Sequence, residues 1–129
     1  MPVVPAFILR RLYVKGSLRS TGNGFSFELK NTLGSGYARS VGPLTVDGDD
    51  VPLEDSFFTL EGREIPFSDV DENNTFGLPL NRTIVISVRG RELAPGPHTI
   101  GFPFTVPGFG KLGFDFADEV TADESSGAG

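Results

Sequence analysis

Apolar side chains fall at every second position in four separate stretches of the chain: Phe25, Phe27 and Leu29; Ile84, Ile86 and Val88; Ile100, Phe102, Phe104 and Val106; and Leu112, Phe114 and Phe116. Successive side chains of a strand point to opposite faces, so this period of two predicts strands with one buried face. Further strands are predicted at "FILRRLYVKGSL", "GPLTV", "SFFTLEG" and "REIPF". No window of a dozen residues has helical spacing, and prolines at 43, 52, 66, 79, 95, 97, 103 and 107 interrupt most candidates.

About eight short strands, separated by Gly, Pro, Asn and Asp turns at intervals of roughly ten residues, predict an all-β fold: an antiparallel two-sheet β-sandwich, immunoglobulin-like in architecture. Proline cannot donate to a ladder, so Pro103 predicts an edge strand or a bulge at that point. The closing stretch "DEVTADESSGAG" is acidic and poor in apolar residues. The sequence therefore divides into one β-sandwich domain over residues 1–117 and an acidic disordered tail over 118–129.

Composition narrows this picture. A length of 129 residues is one domain's worth and suffices for a core without cross-links. Seventeen glycines and ten prolines would suit disorder, but twelve phenylalanines in alternating positions supply the bulk of a core. With no cysteine there is no disulfide, thiolate metal site or thiol nucleophile. A net charge of −6 without a basic stripe argues against nucleic acid. The opening "MPVVPAFILRRLYVKGSL" matches neither a secretory leader nor a membrane span, which predicts a cytoplasmic protein with no membrane partner.

Few residues carry candidate chemistry. In "DGDD", Asp-Gly is a strong hairpin signal because both residues tolerate the positive φ of a primed turn. A calcium loop counted from Asp47 finds Asp49 at its third place but Val51 and Phe58 at its fifth and twelfth, where oxygen ligands are required. His98, the only histidine, is in phase with Ile100 and Phe102 and is read as a rim-of-core residue satisfied by backbone. In "VPGFGKLG" the glycines are followed by a strand-like run, whereas a phosphate loop needs a helix. Glu54, Asp55, Asp69, Asp71 and Glu72 are read as solvated loop acids, and the acceptor patterns at Asn73 and Asn81 are discounted without a secretion signal. The sequence has no GxSxG, GxxxxGK[ST] or HExxH. No catalytic residue, metal site or cofactor is assigned to this chain.

The run from "FSFELKN" through "LTVDGDDVPLEDSFFTLEGREIPFSDV" to "RTIVISVRGRELAPGPHTIGFPFTV" resembles the small β-subunit domain of the C-glycoside deglycosidases, through the "VDG" turn, the "VP.ED..F.L.GR" spacing and "LAPGPHTI". The resemblance implies a non-catalytic β-sandwich accessory subunit packed on a larger, metal-dependent TIM-barrel subunit that holds the acid-base residues. The connection "NTLGSGYARSVG" is shorter than the resemblance implies and keeps only Tyr37 and Arg39 of an aromatic segment. Those two residues, with Phe102, Phe104 and Phe109 of the phenylalanine-rich late strands, are the expected partner-binding residues. The alternative is a stand-alone module that self-assembles through strand edges or binds carbohydrate. An enzyme in its own right would require His98 to lie in a cleft beside carboxylates.

Overall fold

The computed structural model describes residues 5–34 and 36–120. In chain order the elements begin with a short helix α1 (Ala6–Leu9), a 3-10 turn at Arg10–Leu12, β1 (Arg19–Ser20), β2 (Gly24–Lys30), β3 (Gly36–Ala38) and β4 (Ser40–Val41). Then come β5 (Thr45–Val46), β6 (Asp49–Asp50), β7 (Ser56–Leu60), β8 (Arg63–Pro66), β9 (Phe76–Leu78), β10 (Thr83–Arg89), β11 (Gly96–Val106) and β12 (Gly110–Val120). One antiparallel sheet has the order β1-β2-β10-β7-β8. A second has the order β12-β11-β5-β6 with β4 also beside β11, and β3 and β9 form a separate ribbon. The fold is an all-β, sandwich-like arrangement of antiparallel sheets.

The alternation explains why these segments pair as they do. Ile84, Ile86 and Val88 of β10 are buried while the intervening side chains are not, and Phe25, Phe27 and Leu29 opposite them share the same face. A slip of β10 by one residue would turn its three apolar side chains outward, so burial sets the register. From the other sheet Ile100, Phe102, Phe104, Phe114 and Phe116 enter the same core. Phe116 stacks on Tyr13 and meets the edge of Phe27, while Phe102 packs near Phe67, Phe76, Phe104 and Phe114. At about 1.5–3 kcal/mol for each side chain fully removed from water, these rings are the main source of stability in a chain without cross-links.

Three expectations are revised. The N-terminal "FILRRLYVKGSL" is not a strand: the amides of Ile8 and Leu9 donate to the Pro5 carbonyl, and one turn of helix runs into a 3-10 turn. Leu9 and Leu12, three residues apart, are both buried, and on a helical turn that spacing puts them on one face. Strand β11 lies inside its sheet, between β12 and the pair β4 and β5. Pro103 is accommodated because the neighbouring strand breaks at residues 42–44, between β4 and β5, and Gly42 N–H donates to the Pro103 carbonyl. Strand β12 continues to Val120, past the boundary placed at residue 117, because Asp118 is bound by the N-terminal segment. The remainder of the expected tail, 121–129, lies outside the described residues.

Candidate docking groove

An apolar groove of about 420 Å³ opens at one end of the sandwich. Its floor is built from Phe104 and Val106 of β11 with Leu112 of β12, and α1 and the 3-10 turn contribute Ile8, Leu9 and Leu12 along one side. Leu33, Tyr37 and Phe109 stand at its mouth.

Each wall is fixed by local hydrogen bonding. The N-terminal wall is fastened to β12: Arg10 donates to the backbone and side-chain oxygens of Asp115, and Tyr13 Oη donates to Asp118 Oδ2 at 2.6 Å. The Gly16 amide donates to the same oxygen at 2.7 Å. Burial, with the Asp118 hydrogen bond second, pushes the Tyr13 phenol up to about 12. The Tyr13 hydrogen bond, as the main cause, holds the Asp118 carboxyl below its usual range. Buried Asn31 organises the facing loop: Nδ2 donates to the Gly34 carbonyl, while Oδ1 accepts from the amides of Leu33 and Gly34. Leu33 is left outside that tight turn, at 39% exposure. Tyr37 of β3 lies opposite Gly77 of β9, so no side chain faces it across the ribbon, and it is 47% exposed. Phe109 is carried on the β11–β12 turn, where Gly108 and Gly110 take positive φ and the Phe109 amide donates to the Val106 carbonyl.

The five expected partner-binding residues separate. Tyr37, Phe104 and Phe109 meet at this groove, Phe104 as floor and the other two as exposed mouth. Phe102 is 2% exposed and belongs to the core, so it offers no surface to a partner; sequence alternation gives its face and not its depth. Arg39 lies in a separate polar recess with Thr105 and Lys111, paired to Glu72 at 3.5 Å. Sequence reading missed Phe7, Leu33 and Leu80. The available signal was a leucine in "NTLGSG" and in "GLPLNR", too isolated among turn residues to belong to a core face.

His98 and "DGDD" come together elsewhere. Asp47 and Gly48, both at positive φ, are the turn joining β5 to β6. His98 Nδ1 lies 2.6 Å from Asp47 Oδ2 and Nε2 lies 2.7 Å from the Ala94 carbonyl. Backbone therefore satisfies only one ring nitrogen. Among the described residues no group of three His, Asp or Glu side chains is arranged to hold a metal ion. No helix among them is long and apolar enough to cross a membrane.

Fold and groove together define a small β-sandwich module with an apolar recess at one end. The family model described as "Hydroxymethylglutaryl-CoA reductase, N-terminal domain" matches residues 8–121, most of the chain, and the chain belongs to that family. No curated protein sequence matches it. This corrects the resemblance to C-glycoside deglycosidase β-subunits. The motifs behind it, "VDG" and "LAPGPHTI", are turn-and-strand chemistry: Asp47, Gly48 and Gly96 all sit at positive φ, a requirement that unrelated sandwiches share.

Proposed function

We propose that the chain is a non-catalytic β-sandwich module that packs on a larger catalytic protein through the apolar groove. One observation carries the reading. Three of the five exposed large apolar side chains among the described residues line this one groove. Leu33, Tyr37 and Phe109 line the groove, Phe7 adjoins the lining residue Ile8, and Leu80 adjoins Asn81, whose amide donates to the carbonyl of the lining residue Asn31. Scattered exposed apolar residues are ordinary, but their concentration around one concavity is the mark of an interface. The family's name supports a hydroxymethylglutaryl-CoA reductase catalytic portion as the partner. The cysteine-free composition suits a cytoplasmic setting for the pair.

The test is native mass spectrometry of the chain recovered from its host, alongside a Tyr37→Asp/Phe109→Asp variant whose fold is checked by circular dichroism. Recovery of a larger partner in fixed stoichiometry with the parent chain, and its loss from the folded variant, is the expected result. Recovery of the parent chain alone overturns the reading, as does retention of the partner by the variant.

A further inference from the structure

His98 joins two loops at the far end of the β11–β12 hairpin from Phe109. It precedes Phe104 by six residues on β11, about 20 Å along the strand. One loop is the β5–β6 turn, reached through Asp47; the other is the connection from β10 to β11, residues 90–95, reached through Ala94. That connection is otherwise loosely held. The Gly90 amide donates to the Asn23 carbonyl at its β10 end. Beyond it, Ser20 Oγ lies 3.5 Å from the Leu93 carbonyl oxygen and Arg91 pairs with Asp49 at 3.4 Å, an exposed pair of the kind that adds little. The contact of His98 Nε2 with the Ala94 carbonyl, at 2.7 Å, is shorter than either. Leu93, beside Ala94, is 7% exposed and belongs to the core, while Glu92, Ala94 and Pro95 are exposed.

Loss of a proton leaves the ring one N–H for two acceptors. A hydrogen bond to a carboxylate is roughly twice as strong as one to a neutral carbonyl, and the Thr99 amide, then His98, keeps Asp47 ionised by lowering its pKa. The remaining proton therefore stays on Nδ1. Nε2 then turns a lone pair toward the Ala94 oxygen, a repulsive contact at 2.7 Å. Neighbouring charged groups do not take over. Arg91 is held by Asp49, and Asp50, Glu92 and Glu119 are exposed. Asp118, opposite His98 in the β11–β12 register and near the Lys15 charge, already accepts from Tyr13, Gly16 and the Glu119 amide.

We infer that residues 90–95 form a proton-operated flap, closed onto β11 while His98 is charged and released from it when the ring is neutral. Release takes Leu93 out of the core and adds an apolar side chain to the surface. The Asp47 hydrogen bond, then that to Ala94, raises the His98 pKa above 6.5, so release falls on the alkaline side of that value. The inference does not draw on the docking reading, because the groove lies at the other end of the hairpin.

The test uses the full chain, whose single histidine gives an unambiguous nuclear magnetic resonance signal. Ring nitrogen shifts locate its midpoint and tautomer, and the neutral form is expected to carry its proton on Nδ1. Trypsin cleavage after Arg91 is then measured about one pH unit below and about one above that midpoint. Each rate is divided by that of a free peptide spanning the connection, which removes the protease's own pH dependence. The neutral fraction rises about ninefold across that span, and the cleavage ratio is expected to follow it. In Asp47→Asn the side chain is neutral and its Nδ2 donates to Nδ1 of the ring, leaving the Nε2 hydrogen for Ala94, so the rise is expected to disappear. Asparagine also tolerates the positive φ of position 47. A neutral ring protonated on Nε2, an unchanged ratio in the parent chain, or an equal rise in folded Asp47→Asn overturns the inference. So does an equal rise after Lys30, in the β2–β10 ladder, which would mean that the whole sandwich opens. Where Asp47→Asn does not fold, the tautomer and the parent's ratio decide by themselves.

Discussion

The imidazole of His98 lies between two acceptors, with Nδ1 2.6 Å from Asp47 Oδ2 and Nε2 2.7 Å from the Ala94 carbonyl oxygen. Both ring nitrogens have a donor's role to fill, which only the imidazolium does. The same carboxylate accepts the Thr99 amide through Oδ1 at 2.9 Å, so the pair ties the β5–β6 turn to the start of β11. Near it, Arg91 pairs with Asp49 at 3.4 Å.

This contact makes stability depend on pH in a stated direction. The Asp47 hydrogen bond, then that to Ala94, raises the His98 pKa above its ordinary 6.5. Its contribution is fully present below 6.5 and is lost as pH rises through the folded value. The Thr99 amide, then His98, lowers the Asp47 pKa below 3.8, so its contribution is present above 3.8 and is lost as pH falls through the folded value. The thermal midpoint of the parent protein should therefore decline on the alkaline side more than that of His98→Ala. Scanning calorimetry at several pH values checks this, and parallel profiles would refute it.

Tyr13 supplies a spectroscopic counterpart. Its ring lies stacked on Phe116, with centroids 3.6 Å apart, while its hydroxyl is held by Asp118. Its phenol should ionise only near pH 12. Tyr13→Phe removes that late step from an ultraviolet alkaline titration. Because the ring remains and a charge-assisted hydrogen bond is lost, the expected destabilisation is about 1–3 kcal/mol by denaturant melts.

Gly24 tests backbone packing. It faces Arg89 in the β2–β10 ladder, and a Cβ built on it would overlap the carbonyl oxygen of Val88, which is backbone and has no rotamer to change. Gly24→Ala should cost about 2–4 kcal/mol. Gly77→Ala, where the added methyl meets nothing within 4 Å, should change stability by less than about 1 kcal/mol in either direction. Similar losses at both positions would contradict the close approach at Gly24.

Phe102 and Phe109 separate core from surface on one hairpin. Phe102→Ala should destabilise by about 3–5 kcal/mol, since the ring is buried among other aromatics. Phe109→Ala, at a position 41% exposed, should cost under about 1 kcal/mol and act instead on recovery of the partner. Equal destabilisation would move Phe109 out of the groove's mouth and into the core.

The sequence by itself determined the strands and many of their turns. Alternation at Phe25–Leu29, Ile84–Val88 and Leu112–Phe116 needs only neighbouring residues to be read, and Asp47-Gly48 carries its turn in two residues. The tertiary structure alone decided that Phe102 lies in the core while Phe109 lies outside, that α1 and Tyr13 close over β12, and that β11 is an interior strand despite Pro103. It also decided the candidate site, which joins Ile8, Leu33, Tyr37 and Phe109 from three separated segments. The division follows from range: period and turn chemistry are local properties of a few residues, whereas burial depth and the meeting of distant segments arise only when the sheets pack and register sets which loops share an end.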